Sequence, residues 1–549
     1  MAIVKAFWCL MWDWNDGVKR MLRSAVMTLL PFANLPTNER NAQTTTNGLL
    51  KKEKHLKTPP KYTKPQLIGL ITGPTLFILI KLLVTPAGMS SEANTVLASV
   101  AWIATWWVTE AIPIPITSLL PLLLFPLGGV MKTGEVSASY GDNLIFLFAG
   151  SFMIALSMEK WNLHKRVALS IIAFIGTSPS LIILGFMVAT GFISMWISNT
   201  ATTLMMVPIS LAVTKHVADS IKNSNNLEID TSPGKFAFGT ALMLGTAYSA
   251  TIGGFGSLVG APANIILAGT VKELYGIEIT FANWLLFGVP MVVILIPLIW
   301  LYLVKIAYPL KLKNIPGGRN IVKKDLDDLG KMSYEEKIIL TVFMLTAFAW
   351  ITRGFFLNKF IPGLDDTLIA LLGGLVLFLL PAKNKEGNIM DWNTALKLPW
   401  GILWLFGGGL ALAAGIMSSG LDTWIGDQLG NFKNIPLILS IGMIVVMITI
   451  LTEFTSNTAT ATMAYPIVAA VAASLGTDPI LLMVAANMGA TFAYMFPVAA
   501  PPNAIVFGTG YVRMAEMAKT GVWLNLFSII FSVIVVYYYV PIIFAHLMQ

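Results

Sequence analysis

Residues 167–214, 236–271 and 479–512 contain no Asp, Glu, Lys or Arg. A helix crosses a bilayer in about 20 residues, so each stretch is long enough for at least one crossing. A soluble chain carries about 25% charged residues; this one, of 549 residues, carries 12%, with 56% hydrophobic residues and a mean hydropathy of +0.74. No soluble core absorbs that much apolar surface. The fold class expected is therefore an all-α integral membrane protein, with most of the chain in contact with lipid.

Apolar runs separated by turn signals place spans near 66–85, 93–112, 114–131, 168–198, 204–214, 236–252, 283–308, 338–357, 366–381, 436–455, 459–475, 480–497 and 521–545. Two glycine-containing runs, 141–158 and 400–420, are read as segments that dip into the membrane and return on one side. Four regions follow: a basic segment 1–65, a first half 66–310, a polar connector 311–337 and a second half 338–549. Residues 1–65 hold eleven Lys or Arg against four Asp or Glu. By the positive-inside rule this places the N-terminus in the cytoplasm of a multi-pass cell-membrane protein. Beside a membrane domain, such a basic tail points away from nucleic acid. Asp13, Asp16, Lys19, Arg20 and Arg23 interrupt the first 30 residues, so no apolar core of a signal peptide is expected there. Trp8, Trp12 and Trp14 suit either a helix at the lipid surface or an unstructured tail.

The two halves repeat one another. Ser198-Asn199-Thr200-Ala201-Thr202 recurs as Ser456-Asn457-Thr458-Ala459-Thr460, 258 positions on. At that offset Leu147-Phe148-Ala149-Gly150 pairs with Leu405-Phe406-Gly407-Gly408, Ser194 with Thr452, and Pro208 with Pro466. Ala261-Pro262-Ala263-Asn264 matches Ala500-Pro501-Pro502-Asn503 at an offset of 239. The shorter offset is assigned to a hydrophilic loop at 215–235 that the second half lacks. Internal repeats of this kind mark secondary transporters, whose sites lie where the repeats meet.

Within charge-free apolar runs, Ser-Asn-Thr is costly unless its polar groups are paired. A broken helix around a polar cavity accommodates it. A helix restarting after the break presents unpaired N–H groups and the positive end of its dipole, which attract an anion. Two such ends facing one pocket suit a dianion held by neutral donors. The candidate substrate residues are Ser198, Asn199, Thr200, Ser456, Asn457 and Thr458. Ala261, Pro262, Ala500 and Pro501 join them at a second pair of breaks, where proline frees backbone carbonyls. The plain alternative for that pair is an ordinary proline kink.

Ser194 and Thr452 stand about one helical turn before each motif. Their hydroxyls are read as oxygen ligands for Na⁺, or else as bonding back to the preceding turn. Glu453, beside the second motif, is read as part of a buried salt bridge or an interfacial residue in preference to a proton carrier; Glu110 and Asp142 lie at span ends. Cys9 is the sole cysteine and the four histidines show no ligand spacing. No organic cofactor is expected. An intramembrane enzyme would need a nucleophile and base or a paired metal site within the spans, and none is visible. A scaffold would not need two symmetric breaks.

In 194–203 (Ser-Met-Trp-Ile-Ser-Asn-Thr-Ala-Thr-Thr), 452–460 and 497–505 (Pro-Val-Ala-Ala-Pro-Pro-Asn-Ala-Ile), the chain resembles the divalent anion/sodium symporter family. The resemblance runs from about residue 66 to the end. It implies about eleven transmembrane helices in two inverted repeats, with two re-entrant hairpins, broken helices and a homodimer working by an elevator motion. It implies substrate contacts from Asn199, Thr200, Asn457 and Thr458. One sodium site is implied near Ser194, Ser198, Asn199 and Gly260, and another near Thr452, Thr455, Asn457 and Ala499. The chain departs from the family pattern at Ala261 and Ala500, where Ser or Thr is common, and at Ala263, where Pro is common. The function expected is Na⁺-coupled transport of C4 or C5 dicarboxylates such as succinate, malate, fumarate or 2-oxoglutarate. Sodium-independent dicarboxylate exchange is the alternative.

Overall fold

The computed structural model describes residues 62–548 except 85, 177, 224–229, 311–325, 355, 384–385 and 429–434. The surface helix expected near the N-terminus and most of the connector lie outside the described residues. Seventeen helices carry the description: α1 Lys64–Leu83, α2 Ser91–Thr109, α3 Asn143–Lys160, α4 Leu163–Ile175, α5 Pro179–Ser194, α6 Asn199–Asn223, α7 Ala237–Phe255, α8 Pro262–Tyr275, α9 Phe281–Leu301, α10 Tyr334–Thr352, α11 Asp366–Leu379, α12 Trp400–Ser419, α13 Leu437–Phe454, α14 Asn457–Leu475, α15 Pro479–Thr491, α16 Pro501–Gly508 and α17 Met514–Ile534. Among the described residues there is no strand beyond one isolated bridge, Pro381 to Asn388. Eight helical segments there are long and apolar enough to cross a membrane, with shorter apolar helices between them.

The outermost helix shows what lipid does to the pattern. On α1, Leu67, Ile68, Ile71, Leu82 and Leu83 are exposed, and only Gly69 and Gly73 are buried. Those glycines let α2 approach: the Trp106 indole N–H donates to the Gly69 carbonyl at 2.9 Å. At the start of α1, the Thr63 amide donates to Gln66 Oε1 at 2.9 Å, closing a capping box ahead of an apolar run.

Several sequence expectations need correction. The run 168–198 is two helices, because Gly176 adopts φ +141 and Pro179 opens a new helix capped by Ser178. The segment read as a loop at 215–235 begins as helix, since α6 continues to Asn223. The glycine-containing runs 141–158 and 400–420 do not turn back; they form the single helices α3 and α12. Their glycines serve close packing instead. A Cβ at Gly150 would sit 2.6 Å from the Ala370 carbonyl carbon of α11, and one at Gly407 would run into Tyr140. The helix–link–helix units are instead α5–α6 and α13–α14, with a Ser-Asn-Thr triplet at each link.

Charged groups fasten the periphery. Arg166 of α4 binds Glu336 with two nitrogens, at 2.8 and 3.1 Å. Buried Arg353 pairs with Asp366 at 2.9 Å, whose other oxygen accepts from the Phe281 amide at 2.8 Å. Lys160 bonds Asp391 at 2.6 Å, and this hydrogen bond first, with the Thr394 amide next, holds the Asp391 carboxyl down at about 2.

Candidate functional site

Each Ser-Asn-Thr triplet occupies the start of a helix that follows a short link. After α5 ends at Ser194, the chain passes through 195–198 and restarts as α6 at Asn199. After α13 ends at Phe454, it restarts as α14 at Asn457. Ser198 caps the first restart, accepting from the Ala201 amide at 3.3 Å. Ser198, Asn199, Thr200, Ser456, Asn457 and Thr458 are all half-buried while their neighbours along the chain are mostly buried. Among the described residues, the Thr200 and Thr458 hydroxyls have no protein partner, so each is free to donate.

The hydroxyls one turn earlier do not bond back within their own helix. Ser194 Oγ lies 2.8 Å from the Asn199 side chain and 2.7 Å from the Ala250 carbonyl oxygen on α7. Thr452 Oγ1 lies 2.7 Å from Asn457 Oδ1 and 3.2 Å from the Ala490 carbonyl oxygen on α15. Thr455 behaves in the opposite way. Its hydroxyl donates back within its own helix to the Leu451 carbonyl at 2.9 Å and touches Thr460.

The second pair of breaks supplies further oxygens. α7 and α8 are joined by 256–261, and α15 and α16 by 492–500. The Asn199 side-chain terminus is 3.3 Å from the Gly260 carbonyl oxygen, 3.1 Å from that of Ala250 and 2.8 Å from Ser194 Oγ. With Oδ1 inward, all these neighbours are oxygens. With the amide reversed, Nδ2 donates to them instead. Around Asn457 the corresponding link also supplies carbonyls, with different partners. The Asn457 backbone N–H donates to the Ala499 carbonyl at 3.3 Å, and Nδ2 to the Thr491 carbonyl at 3.2 Å.

Two buried asparagines, not picked out individually in the sequence, lock the links. Asn264 Nδ2 donates to the carbonyls of Gly254 at 3.0 Å and Ser257 at 2.7 Å. Asn503 Nδ2 donates to Ala493 at 3.3 Å and Phe496 at 3.2 Å. These are the corresponding residues at an offset of 239, so the Asn that ends each Ala-Pro motif ties down carbonyls that the break sets free. Ala261 and Ala500 are buried, Pro262 is half-buried and Pro501 is exposed.

Glu453 is neither interfacial nor salt-bridged among the described residues. It is 3% exposed, and its carboxylate accepts from the amides of Tyr494 at 2.9 Å, Met495 at 3.1 Å and Phe496 at 3.1 Å, and from Asn525 Nδ2 at 2.5 Å. It clasps the link between α15 and α16. In the first half Met195 stands at that position, and the Ser257 hydroxyl does the holding: it bonds the Met195 carbonyl and accepts from the Gly260 amide at 3.0 Å.

The links interleave. α6 packs against α16 and α14 against α8, so each Ser-Asn-Thr helix lies beside the other half's Ala-Pro helix. The profile of the sodium:sulfate symporter transmembrane region matches residues 65–545. The chain belongs to that family. It is 50% identical over 485 residues to the sodium-dependent dicarboxylate transporter SdcS of Staphylococcus saprophyticus, covering 87% of this chain and 92% of that protein. It is 49% identical over 486 residues to the protein of the same name from Staphylococcus aureus strain bovine RF122, covering 88% and 92%. Two solved structures share the fold at low identity. The YdaH transporter of Alcanivorax borkumensis gives a TM-score of 0.54 at 12% identity, over 87% of this chain and 99% of that one. MtrF of Neisseria gonorrhoeae gives 0.51 at 11%, over 85% and 98%. In this symporter-family member, each Ser-Asn-Thr helix thus packs against the Ala-Pro helix of the other half.

Proposed function

We propose that this chain is a secondary transporter that moves C4 or C5 dicarboxylates across the cell membrane together with Na⁺. The twin oxygen clusters carry the reading: Ser194, Asn199, Ala250 and Gly260 in one half, and Thr452, Asn457, Ala490 and Ala499 in the other. Na⁺ is cargo here, and its charge offsets that of a bound dianion. Thr200 and Thr458 hydroxyls, Ser198, Ser456 and the amides of Asn199, Thr200 and Thr458 are the donors assigned to the two carboxylates. With neither Lys nor Arg in the motifs, the dianion is held weakly enough to be released. Inverted repeats, a homodimer, an elevator motion and a cytoplasmic N-terminus complete the reading; its support is the family resemblance, together with the basic tail for the last.

The test is uptake of labelled succinate into proteoliposomes. Uptake driven by an inward Na⁺ gradient and absent in K⁺ is the expected result. Uptake that needs internal dicarboxylate and ignores Na⁺ would replace symport with exchange, and no uptake under either condition removes the transport reading.

Gly254 offers a second check. A Cβ there would fall inside the Asn199 side chain. Overpacking of this kind costs roughly 1–3 kcal/mol, so Gly254→Ala should lower Na⁺-driven uptake by about 5- to 150-fold. Wild-type uptake by Gly254→Ala would detach Asn199 from the site.

A further inference from the structure

Two cation clusters in one protein raise the question of how one senses the other. A continuous run of hydrogen bonds and one close glycine contact joins them, and it centres on Asn487, a residue outside both motifs. Asn487 lies on α15 and is fully buried. Its Nδ2 donates across the repeat boundary to Asn264 Oδ1 at 3.0 Å. Asn264 in turn grips the Gly254 and Ser257 carbonyls, and Gly254 packs directly on Asn199. On the other side, Asn487 Oδ1 accepts from Thr491 Oγ1 at 3.3 Å, and the Thr491 carbonyl accepts from Asn457 Nδ2. The Tyr465 hydroxyl of α14 stands 2.9 Å from Asn487 Oδ1 and 3.0 Å from the Ala263 carbonyl oxygen, sharing one proton between them. Asn199 and Asn457 are therefore connected through Gly254, Asn264, Asn487 and Thr491.

The matching seam, where α6 and α7 meet α16, has no such run among the described residues. At the repeat offsets, Tyr465 corresponds to Val207 and Asn487 to Tyr248. Tyr248 crosses with a single bond from its hydroxyl to the Tyr494 carbonyl at 3.0 Å. Asn503, the counterpart of Asn264, leaves its buried Oδ1 without a partner among the described residues. The connection is thus built on one seam only, which a purely structural filler repeated by duplication would not show.

We infer that Asn487 is a positioning residue that couples the two cation clusters, so that filling one favours the other. The inference rests on the transport reading above. A cation that turns Asn199 Oδ1 inward draws on the Gly260 and Ala250 carbonyls, and link 256–261 is held to Asn264. Asn264 can shift only with Asn487, and Asn487 with the carbonyl that Asn457 bonds. Neither cluster rearranges without straining that run. Coupling of this kind appears as a Hill coefficient that approaches the number of sites.

The experiment is the Na⁺ dependence of succinate uptake for the full chain in proteoliposomes, with unfolding midpoints measured alongside. Asn487→Leu should bring the Hill coefficient from near two to near one and raise half-saturating Na⁺ by about fivefold or more, with the maximal rate at saturating Na⁺ within about threefold of wild type. Tyr465→Phe, which deletes one hydroxyl, should fold normally and lower the Hill coefficient by a smaller step; it decides the matter if Asn487→Leu does not fold. A folded variant with the wild-type Hill coefficient overturns the inference and leaves the transport reading intact. Wild-type uptake indifferent to Na⁺ overturns both.

Discussion

Asn457→Ala should reduce Na⁺-driven succinate uptake by about 30- to 1000-fold in a protein that still folds, and Asn199→Ala should do the same. The magnitude comes from two losses. Truncation leaves the Thr491 carbonyl without its Asn457 donor and the Thr452 hydroxyl with only the Ala490 carbonyl to accept from it, at about 1–3 kcal/mol for a buried polar group left unpaired. It also removes the one side-chain amide oxygen of the cluster, whose bond to a charged ligand is worth a further 1.5–3 kcal/mol or so. Together these reach roughly 2–4 kcal/mol after partial relaxation, at about 1.4 kcal/mol per tenfold. Ser194→Ala should fall less, by about tenfold, because the Ala250 carbonyl and Asn199 remain in place. Uptake and half-saturating Na⁺ are the measurements. Uptake by Asn457→Ala within threefold of wild type would break the link between the motif and the cargo.

How far the site was legible from the residues depends on what each residue's neighbours were. Ser194, Asn199, Thr452 and Asn457 stood out because polar groups within charge-free apolar runs need partners, and two copies at a constant offset cannot both be accidents. Gly260 and Ala499 contribute only backbone, which sequence alone does not distinguish from packing; their assignment came through the family resemblance. Gly150 and Gly407 misled because a missing side chain serves a bend and a close approach equally well. Only the position of Ala370 and Tyr140 against them decides for packing. The break in 168–198 carried a signal in Gly176 and Pro179, which the apolar run on either side outweighed. Asn487 carried none, since its partners on other helices lie 22 and 223 positions away.

Glu453 shows the same limit and leads to the second large effect. An acid next to a binding motif suggests a counter-charge, yet the groups around its carboxylate are three successive backbone amides about 40 positions on and an asparagine. Glu453→Leu takes the acceptor from the Met495 and Phe496 amides and from Asn525 Nδ2, while the Tyr494 amide keeps Asn525 Oδ1. At about 1–3 kcal/mol each, and with some recovered by relaxation, the variant should lose roughly 3–6 kcal/mol, which is much of the 5–15 kcal/mol that holds a typical domain together. The expected observation is a sharp fall in the detergent unfolding midpoint and little protein in the membrane. Glu453→Gln keeps one acceptor oxygen but turns an N–H₂ toward donors, so it should lie between Leu and wild type, with half-saturating Na⁺ raised because the Ala499 carbonyl is carried on the loosened link. A proton carrier would behave otherwise: Glu453→Gln would keep its unfolding midpoint and lose only the response of uptake to a pH gradient. If Glu453→Leu unfolds within about 0.5 kcal/mol of wild type, the range expected of an uninvolved surface position, the clasp is not what holds link 492–500 in place.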